Sequence, residues 1–201
     1  MNNGLLVVMS GPSGTGKGTV CAELLKQEED LFLSISTTSR NKRAGEVEGV
    51  TYNYTTVDNF KKMIEDEKML EWAVYSGNYY GTPKATVQKM MEEGKNVLLE
   101  IDVQGALQIK KSFPEAVLIF ILPPSMQELR RRLVERGRET EEQIEERLSA
   151  VAFELDNAGK YDYAVVNDDL GKCVQNVAEI IHSEKYSTKR NIDELIKNLK
   201  N

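Results

Sequence analysis

The chain has 201 residues, enough for one domain with a core of its own, and with 40% hydrophobic and 29% charged residues it is composed like a folded protein rather than a disordered or fibrous one. Its 26 Lys and Arg against 32 Asp and Glu leave a net charge of -6, so general attraction to nucleic acid or to an anionic membrane is not its organising principle, and any anion site has to be local. Cys21, Cys173 and the single histidine, His182, are too few for a disulfide framework or a typical structural zinc site, and a Ser-His-Asp hydrolase would also need a G-x-S-x-G elbow that the chain lacks.

In chain order, short apolar runs at 5–9, 31–35, 97–101, 117–122 and 163–166 alternate with helical periodicity. Runs this continuous suit parallel strands covered on both faces by helices, so the expected class is α/β. Directly after the first run stands Gly11-Pro12-Ser13-Gly14-Thr15-Gly16-Lys17-Gly18-Thr19, followed by a helical stretch over 20–28. This is G-x-x-x-x-G-K in a strand–loop–helix setting: the glycines let the backbone wrap a polyphosphate, the helix start points N–H groups at it, and Lys17 reaches the terminal phosphates. Gly18 stands where the usual pattern has the Ser or Thr that meets magnesium, which leaves open whether Thr19 touches Mg2+ directly or through water.

Residues 36–85 read as an insert of short strands and loops with a helix near 58–69. Its first part, Ser36 to Glu46, concentrates hydroxyls with Arg40 and Arg43, and Tyr52 follows; two arginines with hydroxyls suit a phosphate monoester, the acceptor that a γ-phosphoryl donor requires. Its second part, Glu71 to Thr82, sets a carboxylate near further hydroxyls, including Tyr80. Guanine offers two adjacent donors beside an acceptor, which a carboxylate with a hydroxyl matches and adenine does not. The run at 97–101 ends in Glu100-Ile101-Asp102; on a regular strand both carboxylates point to one face at the sheet's carboxyl edge, where ligands bind in open α/β folds.

Ser125-x-x-Glu128 and Thr140-x-x-Gln143 are capping-box patterns, each opening a helix, with Met126, Leu129 and Leu133 on one face and Ile144, Leu148, Val151 and Leu155 on another. These helices carry Arg130, Arg131, Arg132, Arg136, Arg138 and Arg147. A solvated helical face is the ordinary reading of any one of them. The final stretch spaces Val174, Val177, Ile181 and later Ile192, Leu195, Ile196 and Leu199 at helical intervals, as core or docking surface.

At these residues the chain resembles the guanylate kinases over nearly its whole length. The matches are Gly11–Thr19; Ser36…Arg40…Arg43-x-Gly45-Glu46 with Tyr52; Glu71-Trp72-Ala73…Gly77-Asn78-Tyr79-Tyr80-Gly81-Thr82; Glu100-Ile101-Asp102-Val103-Gln104-Gly105; Arg136-Gly137-Arg138-Glu139-Thr140-Glu141 with Arg147; and Val166-Asn167-Asp168-Asp169. Lys42 departs from the family, which usually has proline before the second arginine. The resemblance implies a P-loop NTPase-type parallel core flanked by helices (about 3–33, 94–125 and 162–201), a mixed α/β GMP-binding insert (about 34–85) and a helical lid (about 126–158). By the same resemblance Ser36, Arg40, Arg43, Tyr52 and Tyr80 hold the GMP phosphate, and Glu71 and Thr82 read guanine. Asp102, assisted by Glu100, lies by GMP and Mg2+. Residues 11–19 bind ATP with Asn167 beside the adenine, and Lys17, Arg43, Asp102, Arg132, Arg136 and Arg147 serve catalysis.

The expected partners are ATP and GMP, with dGMP as a further acceptor, and neither nucleic acid nor membrane; monomer and homo-oligomer both stay open. No apolar run approaches the roughly 20 residues of a membrane span and no signal peptide is visible, so a cytoplasmic location is expected. The alternatives are a kinase for another nucleoside monophosphate and a non-catalytic, guanylate-kinase-like interaction module. Glu71 speaks against the first, and the intact lysine, glycines and arginines against the second.

Overall fold

The computed structural model describes residues 4–75, 77–135 and 140–200. In chain order its elements are β1 (Leu6–Ser10), α1 (Lys17–Gln27), β2 (Leu31–Leu33), β3 (Thr37–Thr38), β4 (Asn53–Tyr54), α2 (Val57–Glu65), β5 (Met69–Tyr75), β6 (Asn78–Pro83) and α3 (Lys84–Glu92). They continue as β7 (Asn96–Glu100), α4 (Val103–Ser112), β8 (Val117–Leu122), α5 (Met126–Glu135), α6 (Glu141–Asp156), β9 (Tyr163–Val166), α7 (Leu170–Glu184) and α8 (Thr188–Leu199). One compact unit comprises Met1–Ser10 and Asp30–Ala116, a second Gly11–Glu29 and Val117–Asn201.

In the first unit β2, β7 and β1 run parallel in that order, with Leu31 opposite Asn96 and Leu6 opposite Val97. The apolar residues of β1 and β7 are buried, with α3 packed on β7 and α4 on β1, which is why these two strands read as unbroken hydrophobic runs; on β2 only Leu31 is buried, and Phe32 and Leu33 are half-buried. β2 stops short of residue 35: Ser34 N–H still donates to Leu98 O (3.0 Å), and the chain then leaves for a second sheet ordered β4-β3-β6-β5. There β5 and β6 form an antiparallel pair that sets Glu71 opposite Thr82.

The helix expected near 58–69 is α2, displaced toward the N-terminus. Thr56 Oγ1 accepts the Asn59 N–H (3.2 Å) to cap it. Glu67, at φ 53, takes a left-handed conformation that ends the helical path, and Met69 then opens a strand. Phe60, wholly buried on α2, lies with its ring 5.4 Å from that of Tyr79 and fixes the helix on the sheet. Phe60→Ala is expected to cost about 3–5 kcal/mol, read as a lower urea midpoint at unchanged slope; a loss below about 1 kcal/mol would mean that the site collapses freely.

In the second unit β8 and β9 pair in parallel, Ile119 opposite Tyr163, and α7 packs on α1 and β9. Val174, Val177 and Ile181 are buried there as their spacing predicts, together with Val20 and Leu24 of α1. Leu129, Leu133, Ile144 and Val151 form a cluster between α5 and α6, with Leu148 against it. Met126 and Leu155 share the period but are exposed, because they sit at the first residue of α5 and in the last turn of α6, past the packed zone.

The capping box at Thr140 is complete, whereas at Ser125 only half forms. Ser125 Oγ accepts the Glu128 N–H (3.1 Å), but the Glu128 carboxylate turns to Arg131 and Arg132. Ile192, Leu195, Ile196 and Leu199 of α8 are exposed and form no core. Among the described residues no helix is long and apolar enough to cross a membrane.

Candidate active site

β1 leads into the glycine-rich loop, whose path only glycine tolerates at two positions. Gly11 has φ 133, and a Cβ there would stand 2.3 Å from Ile121 O; Gly16 has φ 90, and its Cβ would stand 2.6 Å from Asn167 Nδ2. Thr15 closes the turn by donating its N–H (3.3 Å) and its hydroxyl (2.9 Å) to Pro12 O. Lys17 Nζ donates to Gly11 O (2.6 Å) and Pro12 O (3.0 Å), which holds the ammonium against the loop. α1 starts at that lysine with no side-chain cap and no acidic residue in its first turn. A cation at an uncapped helix N-terminus opposes the helix dipole, and the conflict is relieved when an anion binds both.

Of the arginines expected to serve this loop, two of the three meet it. Arg132 donates to Thr15 O (3.5 Å), Asn167 O (3.0 Å) and Glu128 Oε1 (2.8 Å), and Arg147 donates to Ser13 Oγ. Arg136 lies outside the described residues, as does Arg138. Arg130, bonded to Glu141 and Glu145, and Arg131, bonded to Glu128 and Glu135, form the exposed ion pairs of an ordinary solvated face. Asn167 is buried and spends its amide nitrogen on Thr15 O (2.7 Å). With Gly14, Gly16, Thr19 and Arg132 it lines a cleft of about 390 Å³. Thr15 O as the meeting point of Asn167 and Arg132 has no signal in the sequence, since its partners are 152 and 117 residues away.

The residues expected to hold the acceptor all lie in the first unit. Glu71 and Thr82, both buried, are cross-strand partners, and Thr82 Oγ1 donates to Glu71 Oε1 at 2.6 Å. The other carboxylate oxygen lies 2.5 Å from where a Cβ on Gly105 would be, so the first turn of α4 makes room for this carboxylate only as glycine. Burial pushes Glu71 up to about 7, with the charge of Asp102 adding to the rise and the Thr82 hydroxyl opposing it. A buried carboxylate with one hydroxyl on it is built to take further N–H donors.

Asp102 does not continue the strand. β7 ends at Glu100, and Asp102 caps α4 by accepting the Gly105 N–H (2.8 Å), so the alternation expected to aim both carboxylates to one face is broken between them. Tyr52 and Tyr80 meet edge to face at 5.9 Å, and the Arg40 guanidinium lies 5.5 Å over the Tyr52 ring. Burial pushes the Tyr52 phenol up, keeping it a neutral donor. Ser36 is half-buried, its carbonyl accepting the Asn53 N–H (2.9 Å), and Arg43 is exposed.

The fork of Arg40, expected to grip a phosphate, is filled: Nη2 donates to Glu46 Oε1 (2.7 Å) and Nη1 to Glu46 Oε2 (3.0 Å) and Asn41 O (2.8 Å). Among the described residues His, Cys, Asp and Glu form no cluster of three or more able to hold a metal alone.

Comparison with known proteins accords with this arrangement. A family model described as guanylate kinase matches residues 3–184. The curated guanylate kinase of Caldanaerobacter subterraneus subsp. tengcongensis is 53% identical over 96% of this chain and 94% of its own length, and that of Clostridium perfringens strain 13 is 50% identical over 94% and 88%. The crystal structure of guanylate kinase from Anaplasma phagocytophilum matches with a TM-score of 0.80 at 34% identity, covering 98% of this chain and 95% of that one. With its parallel α/β strands, phosphate loop and buried Glu71–Thr82 pair, the chain belongs to the guanylate kinase family, the ATP:GMP phosphotransferases among the nucleoside monophosphate kinases.

Proposed function

We infer that the second unit holds ATP and the insert at 34–85 holds GMP, with 126–158 acting as a lid over the phosphates. In this reading residues 11–19 cradle the triphosphate through backbone N–H groups, and Asn167 stiffens the loop from the adenine side of its cleft. Lys17, Arg132, Arg136 and Arg147 stabilise the charge that spreads over the γ-phosphoryl as a GMP phosphate oxygen attacks in line. No covalent enzyme intermediate is required. Ser36, Arg40, Arg43, Tyr52 and Tyr80 hold the GMP phosphate, Arg43 also lending charge to the transfer, and Glu71 and Thr82 take the guanine edge with Glu100 and Asp102 near the sugar and phosphate.

The residues fit magnesium that arrives with ATP rather than a resident metal. No protein cage of carboxylates stands among the described residues, while Thr19 lines the loop cleft and Asp102 spends one oxygen on its cap and keeps the other. Such an ion takes most ligands from phosphates and water, with Thr19 and Asp102 contributing directly or through water. When bound it neutralises charge on the β- and γ-oxygens. We extend the reading to a cytoplasmic enzyme that takes GMP and dGMP alike; with a net charge of -6 the chain leaves the attraction of these anions to local sites.

The observation that carries the base assignment is the buried Glu71 carboxylate with Thr82 on one oxygen. A coupled assay offering GMP, AMP, dTMP and UMP separately is expected to give turnover with GMP at least a thousandfold more efficient in kcat/KM than with AMP, since adenine leaves that carboxylate unpaired. AMP preferred over GMP would overturn the assignment.

A further inference from the structure

Glu46 lies in the loop between Arg40 and Tyr52, and its carboxylate gathers four hydrogen bonds. Besides the two bonds from Arg40, Oε2 accepts the Arg43 backbone N–H (2.7 Å) and the Tyr54 hydroxyl (2.7 Å). The turn between Arg43 and Glu46 is closed by the Glu46 N–H on Arg43 O (3.2 Å), with Gly45 at φ 83. The Arg40 and Glu46 side chains are only 11% and 18% exposed, and the guanidinium is stacked over Tyr52 and Tyr54. The forked, shielded geometry separates this ion pair from an ordinary surface bridge. Arg43, by contrast, has no ion-pair partner among the described residues.

We propose that Glu46 is a positioning residue for the acceptor phosphate, occupying the fork of Arg40 so that the guanidinium presents only its remaining edge, while holding the Arg43 backbone in register beside it.

The proposal rests on the reading of this pocket as the GMP phosphate site. A free arginine would meet the phosphate with its whole fork and could swing with it. Arg40 locked by Glu46 meets it with a fixed edge, and because the pair is nearly neutral the attraction for the phosphate falls to Arg43. Binding then needs no rearrangement of Arg40, which is the use of a preorganised site. The neighbouring anchors support the same role: hydrogen bonding to Arg40, then to the Arg43 backbone, holds Glu46 down to about 2, so the carboxylate stays charged throughout the working range.

The test is a double-mutant cycle of Glu46→Gln and Arg40→Ala, read as kcat and KM for GMP and for ATP, with guanosine as a competitive ligand that lacks the phosphate. Gln offers one acceptor oxygen where the carboxylate takes bonds on two, so KM for GMP should rise tenfold to a hundredfold while KM for ATP and the inhibition constant of guanosine change less than twofold. In the Arg40→Ala background the same change should add less than threefold. Tyr54→Phe, which removes one anchor, should raise KM for GMP severalfold in the same direction. Additive effects in the cycle, or an equal loss for guanosine, would overturn the proposal by making Glu46 a scaffold residue. A wild-type enzyme that binds guanosine as tightly as GMP would overturn the phosphate-site reading itself, and this inference with it.

Discussion

Lys17→Ala is expected to lower kcat by a hundredfold to a thousandfold, about 3–4 kcal/mol of transition-state stabilisation, while the circular dichroism spectrum and KM for GMP stay close to those of the wild type. The bonds from Lys17 to Gly11 O and Pro12 O are local to the loop and worth at most a few kcal/mol together. The loop path is set independently by Thr15 on Pro12 O and by glycines at 11 and 16. Catalysis does not survive, because the ammonium is the charge placed at the start of an uncapped helix, where phosphoryl transfer builds negative charge and where a water molecule replacing it supplies only a weak dipole. Separating kcat from melting temperature decides the matter: near-normal turnover would remove Lys17 from the reaction, and a large loss of stability would make it a structural residue.

The phosphate loop was legible because its chemistry is written in contiguous backbone. Glycines at 11 and 16, a lysine at the helix start and an apolar strand before them all act within a few residues of one another. Strands were legible for the same reason: β8, buried, and β9, of which only Val165 is buried, both lie where their apolar runs do. Their neighbours were less so: β2 is cut short by the departure of the chain into another sheet, and α2 stops at a left-handed Glu67 that no periodicity announces.

In the pocket proposed for the acceptor the resemblance named the side chains, but the residues alone did not show how they meet. Glu71 and Thr82 touch because the β5–β6 register makes them opposite, and a slip of one residue would turn them to opposite faces. Asp102 reads as a strand-end carboxylate and serves as a helix cap, since a residue two past Glu100 can end a strand and start a helix at once. Arg40 and Glu46 show the same limit. Their spacing allows many pairings, and only the folded turn at Gly45 brings the carboxylate onto the fork. The amphipathic spacing of α8 shows that a face exists and not what covers it, so it fits core and docking surface equally; Leu199 is 86% exposed.

Glu71→Gln is expected to move stability and affinity in opposite directions. Burial raises this carboxyl from an ordinary 4.5 to about 7, so between those values the folded chain binds a proton that the unfolded chain has released. Stability from this group is therefore complete below about 4.5, falls as pH rises, and is lost above about 7, a swing of about 3 kcal/mol. Gln cannot ionise, and its amide oxygen can still accept from Thr82. The variant should match the wild type near pH 5 and exceed it in unfolding free energy at pH 8.

Affinity for GMP should fall about a hundredfold or more in the same variant, because the amide nitrogen faces the guanine N1–H and N2 donors with another donor and leaves buried polar groups unpaired. In the wild type, ionised Glu71 is the form that binds, so the ratio of wild-type to variant affinity should climb between pH 5.5 and 7.5 and level off above; taking the ratio cancels the titration of GMP's own phosphate near about pH 6. A variant less stable than the wild type at pH 8 would mean that the carboxylate is not penalised by burial, and an unchanged affinity would mean that guanine is read elsewhere. Both expected effects spring from one carboxylate held between Thr82 and Gly105 with little access to water, a cost in the empty protein that guanine donors would offset on binding.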